Sequence, residues 1–414
     1  MKVLSFTSLY PNNLQPTQGV FIKERMCAFS KLEGVTLKVV APVPYFPPIK
    51  IGQRWQYRQV VEKEVIEGVE VTHPRYFMTP KIGMTLYGLF LCLSVLPHLK
   101  RIQKTFDFDL IDSHFVYPDG FAAVLLGKIL KKPVTISARG SDVNVYKELR
   151  VIPHLLRYAL NRADRVVAVS QALASTMEGL GIPKEKIVVI PNGVDCAKFF
   201  RESQYEARKR VGLRPGKALL SIGHMTRNKG FDLLLHALKI LIDRRKDADL
   251  HLTIIGKGTM QRELEQIIAS LALRERVRFV GALPHDQLRA WYSAADVFCL
   301  ASDQEGWPNV VVESLACGTP VVATKAGGIP EIVYSHHLGI LTERTPHALA
   351  EGIEEALDRA WDREAIAREA QNHQWSQVAQ RLLTVFEGVN IDHTQTRSVG
   401  FAAPLEADRR RGMR

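Results

Sequence analysis

Between residues 298 and 331 the chain spells strand, loop, helix, strand, loop, helix in one run, and that grammar belongs to an open parallel sheet wound with helices. The apolar residues ending at Leu300 predict a buried strand. Pro308 followed by Asn309 predicts the mouth of a helix, where proline is tolerated because that position's amide has no partner. Gly318 suits a left-handed helix end, and Pro320 opens the next strand, Val321 to Thr324.

This order leaves the amides of Asn309 and Val310 unpaired at a helix N-terminus above the carboxyl end of a strand, a place that attracts anions. Glu305 lies just before that helix and Glu313 inside it. Carboxylates repel phosphate, so each is expected to face hydroxyl groups instead. The combination suggests a sugar nucleotide, with the diphosphate on the helix end, ribose hydroxyls on one glutamate and hexose hydroxyls on the other. An isolated pair of glutamates would be read as a solvated loop residue and a surface helix residue. Here the acidic pair, the glycines and the Pro-Val-Val strand arrive in register.

That register, EGWPNVVVESLACGTPVVAT over residues 305–324 followed by Gly327, Gly328 and Glu331, resembles the motif of the family-4 retaining glycosyltransferases. The resemblance implies the GT-B fold, two Rossmann-like doubly wound α/β domains facing across a cleft. At 414 residues the chain is long enough for two such cores. An acceptor-binding domain is expected over residues 1–195 and a donor-binding domain over 196–375. A helix crossing back onto the first domain is expected over 376–390, and a disordered basic tail over 391–414.

The first half opens with a strand up to Ser8, a polar loop ending at Gly19, and a helix over residues 20–32, which is how a doubly wound sheet begins. Gly19 lets backbone approach a ligand at that helix start. A second strand ends in a proline-rich turn over residues 42–48, and the segment holding Trp55, Tyr57 and Tyr76 reads as a weakly structured excursion. The most apolar stretch, residues 82–95, stops at Pro97 and is too short to span a bilayer, so a core helix is expected, with a dip into a membrane interface as the alternative. Asp107 and Asp109 form an Asp-x-Asp triplet, but at the mouth of a buried strand they read as structural, and no metal site is expected.

Residues 133–142 read as a buried strand releasing Arg139, Gly140 and Asp142 at its carboxyl end, where open sheets place ligands. The family commonly carries His-Gly-Ser-Asp there. An arginine cannot act as a base, so its expected role is electrostatic, or else an ion pair with Asp142. Arg139 and Asp142 join Glu305 and Lys229 as catalytic candidates. Residues 191–195, Pro-Asn-Gly-Val-Asp, form a turn and resemble the family's interdomain hinge.

The strand-then-glycine pattern restarts at residues 217–223 and leads through His224, Arg227 and Lys229 into a helix from Phe231. A cation at a helix start opposes the dipole unless an anion is present, which marks Lys229 for a diphosphate. The family usually places an arginine five residues earlier. Here His224 stands there with Arg227 nearby, and either could serve. Gly256, Gly258 and Gly281 are expected to wall the nucleobase pocket.

A net charge of +12 favours an anionic partner, but no nucleic-acid motif accompanies it. A glycan or lipid-linked acceptor and an anionic inner membrane face are the candidate partners beside the nucleotide sugar, in a cytoplasmic setting. The five scattered cysteines read as reduced, and residues 1–8 as a first strand rather than a leader. The resemblance implies retaining, metal-independent transfer from a UDP- or GDP-sugar with no further cofactor. A sugar-nucleotide epimerase of the same architecture and a catalytically silent nucleotide-binding subunit are the rival readings.

Overall fold

The computed structural model describes residues 1–46, 53–78, 83–146, 149–245 and 249–400, the last with side chains to residue 395. Two large sheets carry the chain, parallel throughout except for the edge strand Lys63–Ile66 of the first. The first takes β1 (Lys2–Phe6), β2 (Thr36–Val40), β4 (Lys63–Ile66), β5 (Val69–Thr72), β7 (Leu110–His114), β8 (Val134–Ala138), β9 (Arg165–Ala168) and β10 (Ile187–Val189) in the order β10-β9-β8-β7-β1-β2-β5-β4. The second takes β11 (Lys217–Ile222), β12 (Leu250–Ile255), β13 (Val277–Gly281), β14 (Val297–Leu300), β15 (Val321–Thr324) and β16 (Gly339–Thr342) in the order β13-β12-β11-β14-β15-β16. Strands β7, β8, β14 and β15 are buried along their whole length, because helices cover both faces of a parallel sheet.

In each sheet the strand order reverses beside the first strand of its domain, between β1 and β7 and between β11 and β14. Loops leaving the two strands at such a reversal run in opposite directions and open a crevice at the carboxyl edge. The two crevices therefore decide where a ligand can sit.

Three expectations change. The segment after the proline-rich turn is ordered where described: β4 and β5 form a hairpin that extends the sheet, and short β3 (Val43–Pro44) pairs with β6 (Arg75–Tyr76). Its turn works because Glu67 and Gly68 both take positive φ, 49° and 85°. Pro47 and Pro48 lie outside the described residues. The helix expected to stop at Pro97 is α2 (Tyr87–Thr105), which passes through that proline. Pro97 sits on the exposed side, where the carbonyl it leaves unbonded can meet water.

The third change is at the end of the chain. The helix Trp375–Gly400 runs beyond Asn390, where disorder was expected; residues 401–414 lie outside the described residues. Its buried Leu382 and Phe386 pack with Ile22 and Met26 of α1 (Val20–Ser30), and Phe386 meets Phe29 edge-on at 5.3 Å. The four cysteines Cys27, Cys92, Cys299 and Cys317 are buried and Cys196 half-buried, all as free thiols.

Candidate active site

The two junctions of the second crevice converge. After β11, Gly223 and His224 lead into a short turn, Arg227–Lys229, and Gly230 at φ 64° begins the next helix, Phe231–Arg244. A side chain at Gly230 would strike Ala301 O, so the glycine lets this loop lie against the end of β14. After β14, the loop through Glu305 ends at Pro308, whose carbonyl accepts from Val311 as the helix Asn309–Ala316 begins. Asn309 and Val310 belong to the first turn, whose amides have no intrahelical partner.

Lys229 Nζ lies 2.5 Å from Glu305 Oε1, and Ser302 Oγ donates to the same oxygen at 2.7 Å. Glu313 is 5% exposed. One carboxylate oxygen accepts from Tyr292 OH at 2.9 Å, and the other lies 2.8 Å from His285 Nε2. Burial lowers the basicity of His285, but the hydrogen bond and charge of Glu313 outweigh it and raise the pKa above 6.5. A hydrogen bond from His285 and Tyr292 fixes Glu313 in one rotamer at the crevice wall.

Across the crevice, β8 ends at Ala138, and Arg139 and Gly140 follow before α4 (Ser141–Asn144). Asp142 Oδ1 accepts from the backbone of Arg139 and Gly140 at 3.0 and 2.8 Å, and Oδ2 from Val116 at 2.9 Å. The Arg139 side chain turns elsewhere, donating to Asn192 Oδ1 at 2.9 Å and to His114 Nδ1 at 2.5 Å. Burial, followed by the charges of Arg139 and Arg25, pushes His114 well below its ordinary pKa, so its ring is neutral and can accept. Burial also lowers Arg139 to about 10, which leaves it charged at neutral pH.

The turn at residues 191–195 closes the arrangement. Asn192 Nδ2 donates to Asn309 Oδ1 at 3.1 Å, so one side chain joins Arg139 of the first domain to the helix mouth of the second. Gly140 and Gly306 touch backbone to backbone, with an added Cβ on Gly140 falling 2.6 Å from Gly306 Cα. Between the domains lies a cavity of about 510 Å³ lined by Gly19, Arg139, Asn192, His224, Lys229, His285, Glu305, Pro308, Asn309, Val310 and Glu313, among others.

Residues 204–373 match the family profile described as glycosyl transferases group 1, and residues 39–198 match glycosyltransferase family 4. TuaC of Bacillus subtilis, a glycosyltransferase named for teichuronic acid biosynthesis, is 30% identical over 365 residues, covering 85% of this chain and 88% of TuaC. The chain belongs to the family-4 glycosyltransferases. A D-inositol 3-phosphate glycosyltransferase of Pseudarthrobacter chlorophenolicus is 31% identical, covering 68% of this chain and 71% of that protein. Two solved structures share the fold. Sucrose-phosphate synthase of Thermosynechococcus elongatus superposes with a TM-score of 0.75 at 19% identity, covering 94% of this chain and 98% of that one. Anabaena HepE in complex with UDP gives 0.71 at 20%, covering 94% and 100%.

In this glycosyltransferase several expected site residues stand outside the cavity lining. Asp142 is fully buried and binds three backbone amides, so it shapes the loop and makes no ion pair with Arg139. Arg227 pairs with Glu263 at 3.0 Å, and its side chain is 75% exposed, whereas His224 lines the cavity. Gly256, Gly258 and Gly281 are also absent from the lining. Gly256 and Gly258 instead let their loop press on Gly223 and Met225, where a Cβ would fall 1.9 and 2.3 Å from carbonyl oxygens; Gly281 O accepts from Gly256 N at 2.9 Å. Asp107 pairs with Lys132, and Asp109 accepts from the Lys2 amide, which is the structural use expected of both.

Sequence reasoning missed His285 and Tyr292, and met Asn192 and Glu331 only as members of the 191–195 turn and of the motif ending at residue 331, without a role for either side chain. Glu331 accepts from the amides of Gln171 and Ala172 at 2.7 and 2.8 Å, so a glutamate of the second domain caps the helix Gln171–Gly179 of the first. The Pro-Asn-Gly spelling around Asn192 and the motif that ends at Glu331 offered a signal. His285 and Tyr292 act through Glu313, far away in sequence.

Proposed function

We propose that this glycosyltransferase moves a hexose, with retention of configuration, from a UDP- or GDP-sugar held by the second domain to a glycan or lipid-linked acceptor presented by the first. The observation that carries the reading is the meeting of Lys229, the helix mouth at Asn309 and Val310, and Glu313 in one cavity at a strand-order reversal. The cation and the helix end answer a diphosphate, and a fixed carboxylate answers ribose hydroxyls. HepE, of the same fold, is described in complex with UDP, and TuaC is named for teichuronic acid biosynthesis; both support the reading.

In the step proposed, the bond from the anomeric carbon to the β-phosphate oxygen breaks and its electron pair leaves with the nucleoside diphosphate. The acceptor hydroxyl bonds the anomeric carbon from the same face, and its proton passes to the departing phosphate oxygen. Lys229 and the amides of Asn309 and Val310 stabilise that growing charge. Since these groups supply the positive field, we read transfer as metal-independent. Arg139 adds charge from the acceptor side. The net charge of +12 favours work at an anionic membrane face, which we place on the cytoplasmic side.

The test is to offer the purified protein panels of UDP- and GDP-sugars with and without a chelator, and to follow nucleoside diphosphate release and the anomer first formed. The reading expects one donor to be turned over, chelator or not, with the donor's anomeric configuration kept. Nucleotide binding without sugar release from any donor would instead mark a silent binding subunit.

A further inference from the structure

Helices α2, α3 (Phe121–Leu130) and α5 (Ile152–Arg162) cover one face of the first sheet and contain no aspartate or glutamate. They are continuous: Phe121 of α3 packs on Gly88 of α2, and Tyr158 of α5 lies 5.5 Å from the Phe121 ring. The stretch expected to be core is half outside. Leu86, Leu89 and Leu93 are 47, 41 and 59% exposed on successive turns, beside Phe77 at 55%. The same stripe of α2 continues as exposed Lys100, Arg101 and Lys104, with exposed Lys128 on α3 and Arg157 and Arg162 on α5. No carboxylate among the described residues forms an ion pair with any of these six cations.

An apolar stripe followed on the same face by unpaired cations is poor design for a surface meeting only water. It is the pattern of a helix lying in a bilayer interface, leucines among the acyl chains and cations at the phosphates. No helix among the described residues is long and apolar enough to cross a membrane, which fits lying on the surface rather than spanning it. The direction of α2 adds a reason. It starts at the carboxyl edge of the sheet, where the crevices open, so its apolar end is the end near the cleft.

We infer that the face built by α2, α3 and α5 docks on an anionic lipid bilayer, with Leu86, Leu89 and Leu93 entering the interface beside the mouth of the acceptor cleft. This rests on the transfer reading only for its purpose, the delivery of a lipid-linked acceptor; the docking itself follows from the face alone.

The experiment is co-sedimentation of the full chain with vesicles of phosphatidylglycerol and phosphatidylcholine in equal parts, and of phosphatidylcholine alone, at low and high salt. The expected result is binding to the anionic vesicles that salt weakens. Lys100→Gln with Arg101→Gln should weaken it by roughly tenfold or more, and Leu89→Ser with Leu93→Ser should also weaken it, while both variants keep wild-type nucleoside diphosphate affinity. Equal binding to neutral vesicles, no binding, or variants that bind like wild type would overturn the inference. So would a dimer in sedimentation that Leu89→Ser with Leu93→Ser disperses, since the face would then meet a second copy. Vesicle binding by a protein that turns over no nucleotide sugar would refute the transfer reading and leave the docking surface standing.

Discussion

Lys229 Nζ and Glu305 Oε1 lie 2.5 Å apart, the two residues coming from different junctions of the same crevice. The cation expected on the diphosphate and the carboxylate expected on the hexose are thus direct partners. A diphosphate beside Lys229 would compete for its remaining protons, and Glu305 holds the ammonium at the edge of the cavity.

Replacing Lys229 by Met should lower kcat by about 10²- to 10³-fold, since it removes a charge that acts on the leaving group. Glu305→Gln keeps the size but not the charge of the partner, and should slow transfer more than it weakens nucleotide binding. Initial rates beside calorimetric titration separate the two; unchanged rates in both variants would make the pair structural.

The His285–Glu313 contact carries a pH dependence whose sign is fixed. The pKa of His285 is raised above 6.5 in the folded protein, so the contact's stabilisation is full below pH 6.5 and fades as the pH rises through the raised value. Denaturant unfolding of wild type and His285→Gln should show a larger gap at pH 6 than at pH 8.5. An equal gap at both would mean that the imidazole does not gain a proton on folding.

Asp142 is expected to matter for folding rather than chemistry. Asp142→Ala strands three buried amides, at a cost of about 3 kcal/mol or more, read as a lower denaturation midpoint. A variant of wild-type stability with no activity would return Asp142 to the catalytic set.

Asn192→Ala should break the link between Arg139 and Asn309. About tenfold in kcat is expected, the worth of roughly one hydrogen bond, with nucleoside diphosphate affinity unchanged. A loss of affinity alone would place Asn192 in the donor pocket rather than between the domains.

The parts legible in the sequence were those written locally. Pro308 and Asn309 announce a helix mouth, Gly318 a helix end and residues 297–300 a buried strand, because each depends on neighbours within a turn. What could not be read depends on partners brought together by the sheets. Glu313 is fixed by His285 and Tyr292, and Arg139 is turned from Asp142 by His114 and Asn192. Gly306 follows the same rule. Its place in the motif was visible, but its reason, contact with Gly140 of the other domain, exists only when the two crevices face each other. The apolar residues 82–95 were legible only in part: Leu91, Cys92 and Val95 join the core as expected, but hydropathy alone does not tell that Leu89 and Leu93 of the same helix face outward.

The central claim is that the junctions after β11 and β14 together hold a nucleoside diphosphate. Titrating UDP and GDP, and then the corresponding nucleosides, into wild type and Lys229→Met tests it most directly. The account predicts that wild type binds one diphosphate at least about tenfold more tightly than its nucleoside and that Lys229→Met loses that advantage. Equal affinities for diphosphate and nucleoside in wild type, or an advantage that survives in Lys229→Met, would contradict it.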